Sequence, residues 1–301
     1  MSVDIPFLRE FSFEYGRLET VAPGIRRIVA RNPSPFTFKG TGTYVVGDGE
    51  VAVIDPGPDL DEHIAALLGG LKGEQVTHIL VTHTHNDHSP AAKALKSETG
   101  APSYGFGPHA GGRRGEPGIE EGGDWDFNPD VVVRDGEKIA GRGWQFEAVH
   151  TPGHTSNHLC FALPELGILF SGDHVMGWST SVVAPPDGDM AAYMASLDKL
   201  LRRDDLVYWP THGPAISAPK PHVRAFVAHR REREAGILDC LARGPQPIEA
   251  IVAALYTGLA PGLRRAAGRS VHAHLLDLIA RGLASSEGPP AIDAVYRHSH
   301  S

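Results

Sequence analysis

Short apolar runs, most of them unbroken, dominate the first two-thirds of the chain; apolar positions three and four apart dominate the rest. Side chains two apart share one face of a strand, and those three and four apart share one face of a helix. Strands are therefore expected at Ile25–Ala30, Thr43–Val46, Val51–Asp55, Val76–Val81, Val131–Val133, Lys138–Ile139, Trp144–Val149, Leu159–Leu163, Ile168–Ser171 and Val207–Trp209. Gly47-Asp48-Gly49 turns the second of these into the third as a hairpin. Helices are expected over Asp61–Leu71, from Ala91 toward Gly100, and over Met190–Arg203, His222–Ala242, Ile248–Leu255 and Arg264–Arg281, with residues 283–297 as a small hairpin. Ser89 is placed as the N-cap of the second helix and Pro90 as its first residue. The Gly- and acid-rich stretch 105–130 reads as a long, mainly solvated loop beside a cleft, with His109, Arg113 and Arg114 within reach of a ligand. Arg230-Arg231-Glu232-Arg233-Glu234 reads as a solvated helical face, and His63, His272, His274, His298 and His300 as surface residues.

The densest chemistry lies where one of these strands ends. Thr82-His83-Thr84-His85-Asn86-Asp87-His88 holds three His and one Asp within six residues, directly after the buried run Val76–Val81. His83 and His85, two apart, can aim at one point. Imidazole nitrogen with carboxylate oxygen suits zinc and similar divalent metals.

This His83-x-His85-x-Asp87-His88 pattern resembles the signature of the metallo-β-lactamase superfamily. Further motifs match it in order: Val53-Ile54-Asp55-Pro56-Gly57 upstream, then Thr151-Pro152-Gly153-His154-Thr155, Ser171-Gly172-Asp173 and Pro210-Thr211-His212-Gly213-Pro214. The run Gly40-Thr41-Gly42-Thr43-Tyr44 is similar to a motif of one branch, with Gly42 in place of its usual Asn. The resemblance implies an α/β (α+β) fold, an αββα sandwich of two mixed sheets with the metal site along one edge. The tail resembles the subgroup carrying a C-terminal winged helix, so residues 1–220 are expected as the catalytic domain and 221–301 as a small winged-helix domain.

Carried onto these positions, the resemblance implies two metals. His83, His85 and His154 would hold the first, Asp87, His88 and His212 the second, and Asp173 would bridge both, with Asp87 and Asp173 as the catalytic carboxylates. Asp55 would support the metal loop by hydrogen bonds. Two zinc ions are expected, with iron or manganese as substitutes; His85 stands where oxygen-reducing diiron relatives carry Glu. The implied activity is a dinuclear zinc hydrolase using a metal-bridging hydroxide on an ester, thioester, lactone or phosphodiester. The alternative is a metal-dependent single-strand endoribonuclease. His158 could line the cleft, and His174 would point away from the metals.

Composition narrows this little. The 301 residues are 41% apolar and 21% charged, as in a soluble globular protein. No stretch is long and apolar enough to span a membrane, and the N-terminus lacks a signal-peptide pattern, so a cytoplasmic location is expected. Cys160 and Cys240 imply no disulfide framework and read as core fillers. The net charge of −8 divides unevenly. Residues 214–301 carry 11 Lys and Arg against 7 Asp and Glu, net +4; residues 1–213 carry 17 against 29, net −12. That asymmetry fits a basic domain packed on an acidic one, or a tail that meets phosphates. Overall acidity and the lack of an aromatic-and-basic stripe favour a small-molecule substrate over RNA. A homodimer contact through the tail is a further alternative. A chain cut near Pro219 is expected to keep its metals and change its KM.

Overall fold

The computed structural model describes residues 3–112, 122–259 and 261–299. Among these, the N-terminal part forms one mixed sheet from β1 (Glu19–Ala22), β2 (Ile25–Val29), β3 (Gly42–Asp48), β4 (Glu50–Ile54), β5 (Gln75–Leu80), β6 (Ser103–Gly105) and β7 (Val131–Val132), in that spatial order. Pairing is antiparallel from β1 to β4 and parallel from β4 to β7. The parallel crossovers carry α1 (Asp61–Gly70) and α2 (Ala91–Thr99). A second sheet runs β12 (Val207–Pro210), β11 (Ile168–Gly172), β10 (Leu159–Leu163), β9 (Trp144–His150), β8 (Lys138–Gly141), with α3 (Met190–Leu201) between β11 and β12.

Strand periodicity sorts the side chains into layers. Tyr44, Val46, Ala52 and Ile54 of the first sheet meet Phe146, Ala148, Phe161 and Phe170 of the second, and this is the inter-sheet core. Their neighbours Val45, Val51 and Val53 point the other way, onto Leu67 of α1 and Leu95 of α2. Cys160 and Leu169 likewise face outward onto Tyr193 and Leu197 of α3. The result is an αββα sandwich. Each fully buried Phe or Leu contributes roughly 1.5–3 kcal/mol over its exposed state, so these layers fix which strand ends lie side by side.

The C-terminal part begins with α4 (Pro219–Ala242), a helix of 24 residues and about 36 Å. Val223, Phe226 and Val227 on its first half pack into the α3 layer of the sandwich. Ile237, Cys240 and Leu241 on its second half pack with α5 (Ile248–Leu255), α6 (Arg264–Ala280) and Tyr296. A three-stranded sheet of β13 (Gln246–Pro247), β15 (Val295–His298) and β14 (Ala284–Ser286) completes a winged helix. Among the described residues no helix is long and apolar enough to cross a membrane.

Several sequence expectations fail on burial. His63 is 2% exposed, not a surface residue. Its Nε2 lies 3.0 Å from the Pro56 carbonyl and 3.1 Å from Thr43 Oγ1. Gly57 permits this approach: at φ +99° it has no side chain, and a Cβ there would lie 2.8 Å from the ring. His272 and His274 are 6% and 1% exposed, because their face of α6 is buried. Arg230, within the run read as solvated, is 3% exposed. Ser89 does not cap α2; Pro90 holds that place, and the Ser89 hydroxyl donates to Asp124 Oδ2 at 2.6 Å.

Candidate metal centre

Every candidate ligand sits just past a strand end at one edge of the sandwich. The loop from His83 to His88 follows β5, His154 and Asp173 follow β9 and β11, and His212 follows β12. The Pro152-Gly153 turn that delivers His154 needs glycine: its φ is +141°, and a Cβ would come within 2.3 Å of Tyr193 Cα. The two sheets are joined here, since Leu159 N–H donates to the Thr82 carbonyl at 2.7 Å and Gly42 N–H to the Thr211 carbonyl at 2.8 Å.

Three clusters of donor atoms result: His83 with His85 and His154; His83 with His88 and Asp173; and Asp87 with His88 and His212. His83 Nε2 and His154 Nε2 lie 3.0 and 3.2 Å from His85 Nδ1. His212 Nε2 lies 3.1 Å from Asp87 Oδ2 and 3.3 Å from Asp173 Oδ2. Asp173 Oδ2 is also 3.6 Å from His88 Nε2 and 4.0 Å from His154 Nε2, so it reaches toward both ends of the group. His85 is half-buried; the other six are buried.

The ring tautomers follow from the backs of the rings. His154 Nδ1 donates to the Val182 carbonyl at 2.7 Å, and His212 Nδ1 to the Gly40 carbonyl at 3.2 Å. His88 Nδ1 donates to Asp55 Oδ2 at 2.9 Å. Thr82 Oγ1 donates to Asp55 Oδ2 at 2.8 Å and therefore accepts from His83 Nδ1 at 3.1 Å. With cations bound, each of these four rings would turn an unprotonated Nε2 inward. A single proton on His85 Nδ1 can serve the His83 and His154 nitrogens, 3.0 and 3.2 Å away, only by being shared, whereas a cation takes all three lone pairs. Ligands about 2.1 Å from a tetrahedral metal lie about 3.4 Å apart. The buried His88 Nε2 and Asp173 Oδ1 also have no hydrogen-bond partner among the described residues. The residues present therefore fit two divalent cations.

Without cations the electrostatics are polarised. Burial, reinforced by the neighbouring imidazoles, holds His83 well below the ordinary histidine range, and burial with His154 does the same to His85. At the other end burial opposes protonation, but Asp87, Asp173 and Asp55 raise His88 well above it, and Asp173 with Asp87 raises His212 to about 10. Burial would raise Asp87, but His88 and His212 outweigh it and hold the carboxyl low.

Asp55 accepts from Thr82 N–H and Oγ1 at 2.8 Å each, from His88 at 2.9 Å and from Thr211 Oγ1 at 2.9 Å. It thus supports the metal loop as expected. His158 does not line an open cleft. It is fully buried; its Nδ1 lies 2.9 Å from Thr151 Oγ1, and its Nε2 accepts the Asp173 backbone N–H at 3.2 Å, orienting that carboxylate. His174 is buried outside the donor clusters. The 105–130 loop is docked rather than solvated where it is described. Asp124 N–H donates to the Thr84 carbonyl at 2.8 Å, and His109 Nδ1 lies 3.0 Å from Thr84 Oγ1. Arg113, Arg114 and His300 lie outside the described residues. Thr82 and Asn157 escaped the sequence reading. Asn157 Nδ2 donates to Thr84 Oγ1 at 2.8 Å, and its place between His154 and His158 was the available signal.

Residues 37–212 match the metallo-beta-lactamase superfamily, and residues 248–290 match the beta-lactamase associated winged helix domain. The chain belongs to the metallo-β-lactamase superfamily. It is a metal-dependent hydrolase of that superfamily with a C-terminal winged helix. A lactamase-like protein of Aspergillus niger is 30% identical over 81% of this chain and 75% of its own length. An atrochrysone carboxyl ACP thioesterase of Claviceps purpurea is 31% identical over 75% of this chain and 68% of its own. A beta-lactamase-like protein 2 homolog of Caenorhabditis elegans is 32% identical over 74% and 73%. The fold is shared with a metallo-beta-lactamase family protein of Thermus thermophilus, with TM-score 0.75 and 24% identity over 93% of this chain and 100% of that one.

Proposed function

We propose that this chain is a dinuclear zinc-dependent hydrolase whose substrates are acyl thioesters. The observation that carries the hydrolytic site is the convergence of His83, His85, His154, Asp87, His88, His212 and Asp173 donor atoms into overlapping clusters at one buried edge. The substrate class is supported by the similarity to a fungal enzyme named an ACP thioesterase, at 31% identity. His83, His85 and His154 would hold one cation and Asp87, His88 and His212 the other, with Asp173 Oδ2 between them. Bound there, the cations would bring the pKa of water near about 7 and polarise the scissile carbonyl. The chain's own groups do the positioning. The Val182 and Gly40 carbonyls fix the tautomers of His154 and His212, and Asp55 fixes that of His88. His158 aims Asp173 by holding its backbone N–H. Burial excludes bulk water, and His88 and His212 keep Asp87 and Asp173 ionised against it. This chemistry leaves no role for a side-chain nucleophile, and Cys160 is buried with its thiol pushed up to about 12 by desolvation.

The test is a hydrolysis panel of thioesters, esters, lactones, phosphodiesters and single-stranded RNA on zinc-loaded protein. Thioester turnover that Asp173→Ala abolishes, with the fold intact by circular dichroism, is the expected result. RNA cleavage lost in His83→Ala, with no thioester turnover, would overturn the substrate class.

A further inference from the structure

A cavity of about 310 Å³ lies between the sandwich and the winged helix. Its walls come from the N-terminal segment (Phe7), the loop before β3 (Phe36), the segment after β11 (Trp178 to Val182) and the C-terminal helices (Leu263, Ala266). It shares a wall with the metal centre, because Val182 lines it and the Val182 carbonyl holds His154. Arg230, Ser181 and Ser270 also line it.

Arg230 is out of place in an ordinary core. The residue is 3% exposed, and among the described residues its guanidinium bonds to a hydroxyl and a carbonyl rather than to a carboxylate. Nη1 donates to Ser270 Oγ at 3.2 Å, Nη2 donates to the Ser181 carbonyl, and Nε has no partner among the described residues. The face of Tyr193, 5.2 Å away, supplies the remaining compensation. A buried charge is normally paired, since neutral acceptors recover only part of its lost hydration. Among the described residues the cavity lining holds Arg9, His229 and Arg230 and no Asp or Glu, in a chain with 36 acidic residues against 28 basic ones. The indole N–H of Trp178, in the same lining, is buried without an acceptor. Cationic, hydroxyl and apolar groups thus line together a cavity beside the metal centre. A planar guanidinium with spare donors matches a carboxylate in a bidentate pair.

We propose that this cavity is the acyl-binding subsite and that Arg230 selects acyl groups bearing a free carboxylate on an apolar or aromatic body. The carboxylate binds Arg230, and the body lies against Phe36, Trp178 and Leu263. The proposal rests on the thioesterase reading only for the bond that reacts; recognition of the carboxylate stands apart from it. Two measurements separate the two. In the first, 4-phenylbutyrate and its uncharged amide are titrated into wild-type metal-loaded protein by calorimetry, and into Arg230→Met and Arg230→Lys. The carboxylate should bind at least about tenfold more tightly than the amide to wild type, lose that preference in Arg230→Met, and regain part of it in Arg230→Lys. In the second, paired thioesters with and without a terminal carboxylate are hydrolysed. Arg230→Met should raise the KM of the charged thioester relative to that of the neutral one, and Arg230→Lys should restore part of the difference. Equal binding of carboxylate and amide to the wild type would overturn the subsite, whether or not the variants fold. Arg230-dependent carboxylate binding without any thioester turnover would uphold the subsite and sink the thioesterase reading instead.

Discussion

Asp55→Asn is the sharpest probe of how the metal centre is held. The substitution keeps shape, and Asn tolerates the left-handed backbone that Asp55 adopts at φ 47°. With its oxygen on the Oδ1 side, it still accepts from Thr82 N–H, but an amide NH2 now faces Thr82 Oγ1, His88 Nδ1 and Thr211 Oγ1. The two hydroxyls can rotate and become acceptors. His88 cannot: to avoid a donor–donor clash its proton must move from Nδ1 to Nε2, the atom that faces the cations. Losing an outer partner of a ligating histidine costs about 10–100-fold in metal affinity, or roughly 1.4–2.7 kcal/mol. The loss should be greatest at the Asp87, His88 and His212 end. Zinc titration against a chelating indicator, with circular dichroism to confirm folding, reads this directly. A folded Asp55→Asn protein with both zinc affinities unchanged would refute the argument that tautomer control by Asp55 sets the site.

Two further outcomes follow from the same geometry. Protein purified without chelators should carry about two divalent ions per chain by elemental analysis, and a content near zero that zinc supplementation does not raise would remove the metal reading. Burial, aided by Arg230, holds His274 at about 3, and burial holds His229 at about 4. Both lie below the unfolded value of about 6.5. The unfolded chain therefore binds more protons below about pH 6.5, so the stability these residues allow is complete above that pH and is lost as pH falls toward 4. Denaturant melts of metal-free protein across this range should show His274→Leu losing less stability than wild type; parallel curves would contradict the assignment.

The metal edge was legible because its information is local. His83, His85, Asp87 and His88 lie on one loop, and His154, Asp173 and His212 each follow a short apolar strand that can be read alone. Burial contributed by remote segments was not legible. His63 lies on a polar-looking helix, and only the close approach of the Gly57 turn encloses it. Arg230 sits among charged neighbours, yet its face of α4 meets Ser181 from the sandwich and Ser270 from α6. Ser89 satisfied every local rule for an N-cap, but Asp124, thirty-five residues later, offers its hydroxyl a charged acceptor at 2.6 Å. Where a side chain has a local and a distant partner, the sequence shows only the first.

The same distinction decides how the C-terminal segment must be tested. A cut near Pro219 was expected to leave a metal-loaded protein with altered KM, which requires the segment to be separable. α4 runs unbroken from Pro219 to Ala242, and its first half belongs to the sandwich's own outer layer through Val223, Phe226 and Val227, which are 0–6% exposed. Removing three such side chains gives up roughly 5–9 kcal/mol of burial. That is comparable with the whole stability of a typical domain, about 5–15 kcal/mol. The shortened chain should therefore be insoluble or unfolded. A cut after Ala242 keeps that layer but strips the partners of Ile237, Cys240 and Leu241. Expression of both truncations, compared by solubility and thermal melting, checks this. A soluble, cooperatively melting protein ending at Pro219 would show that α4 only decorates the sandwich; failure of that cut alone would place the division between the two cores within α4 itself.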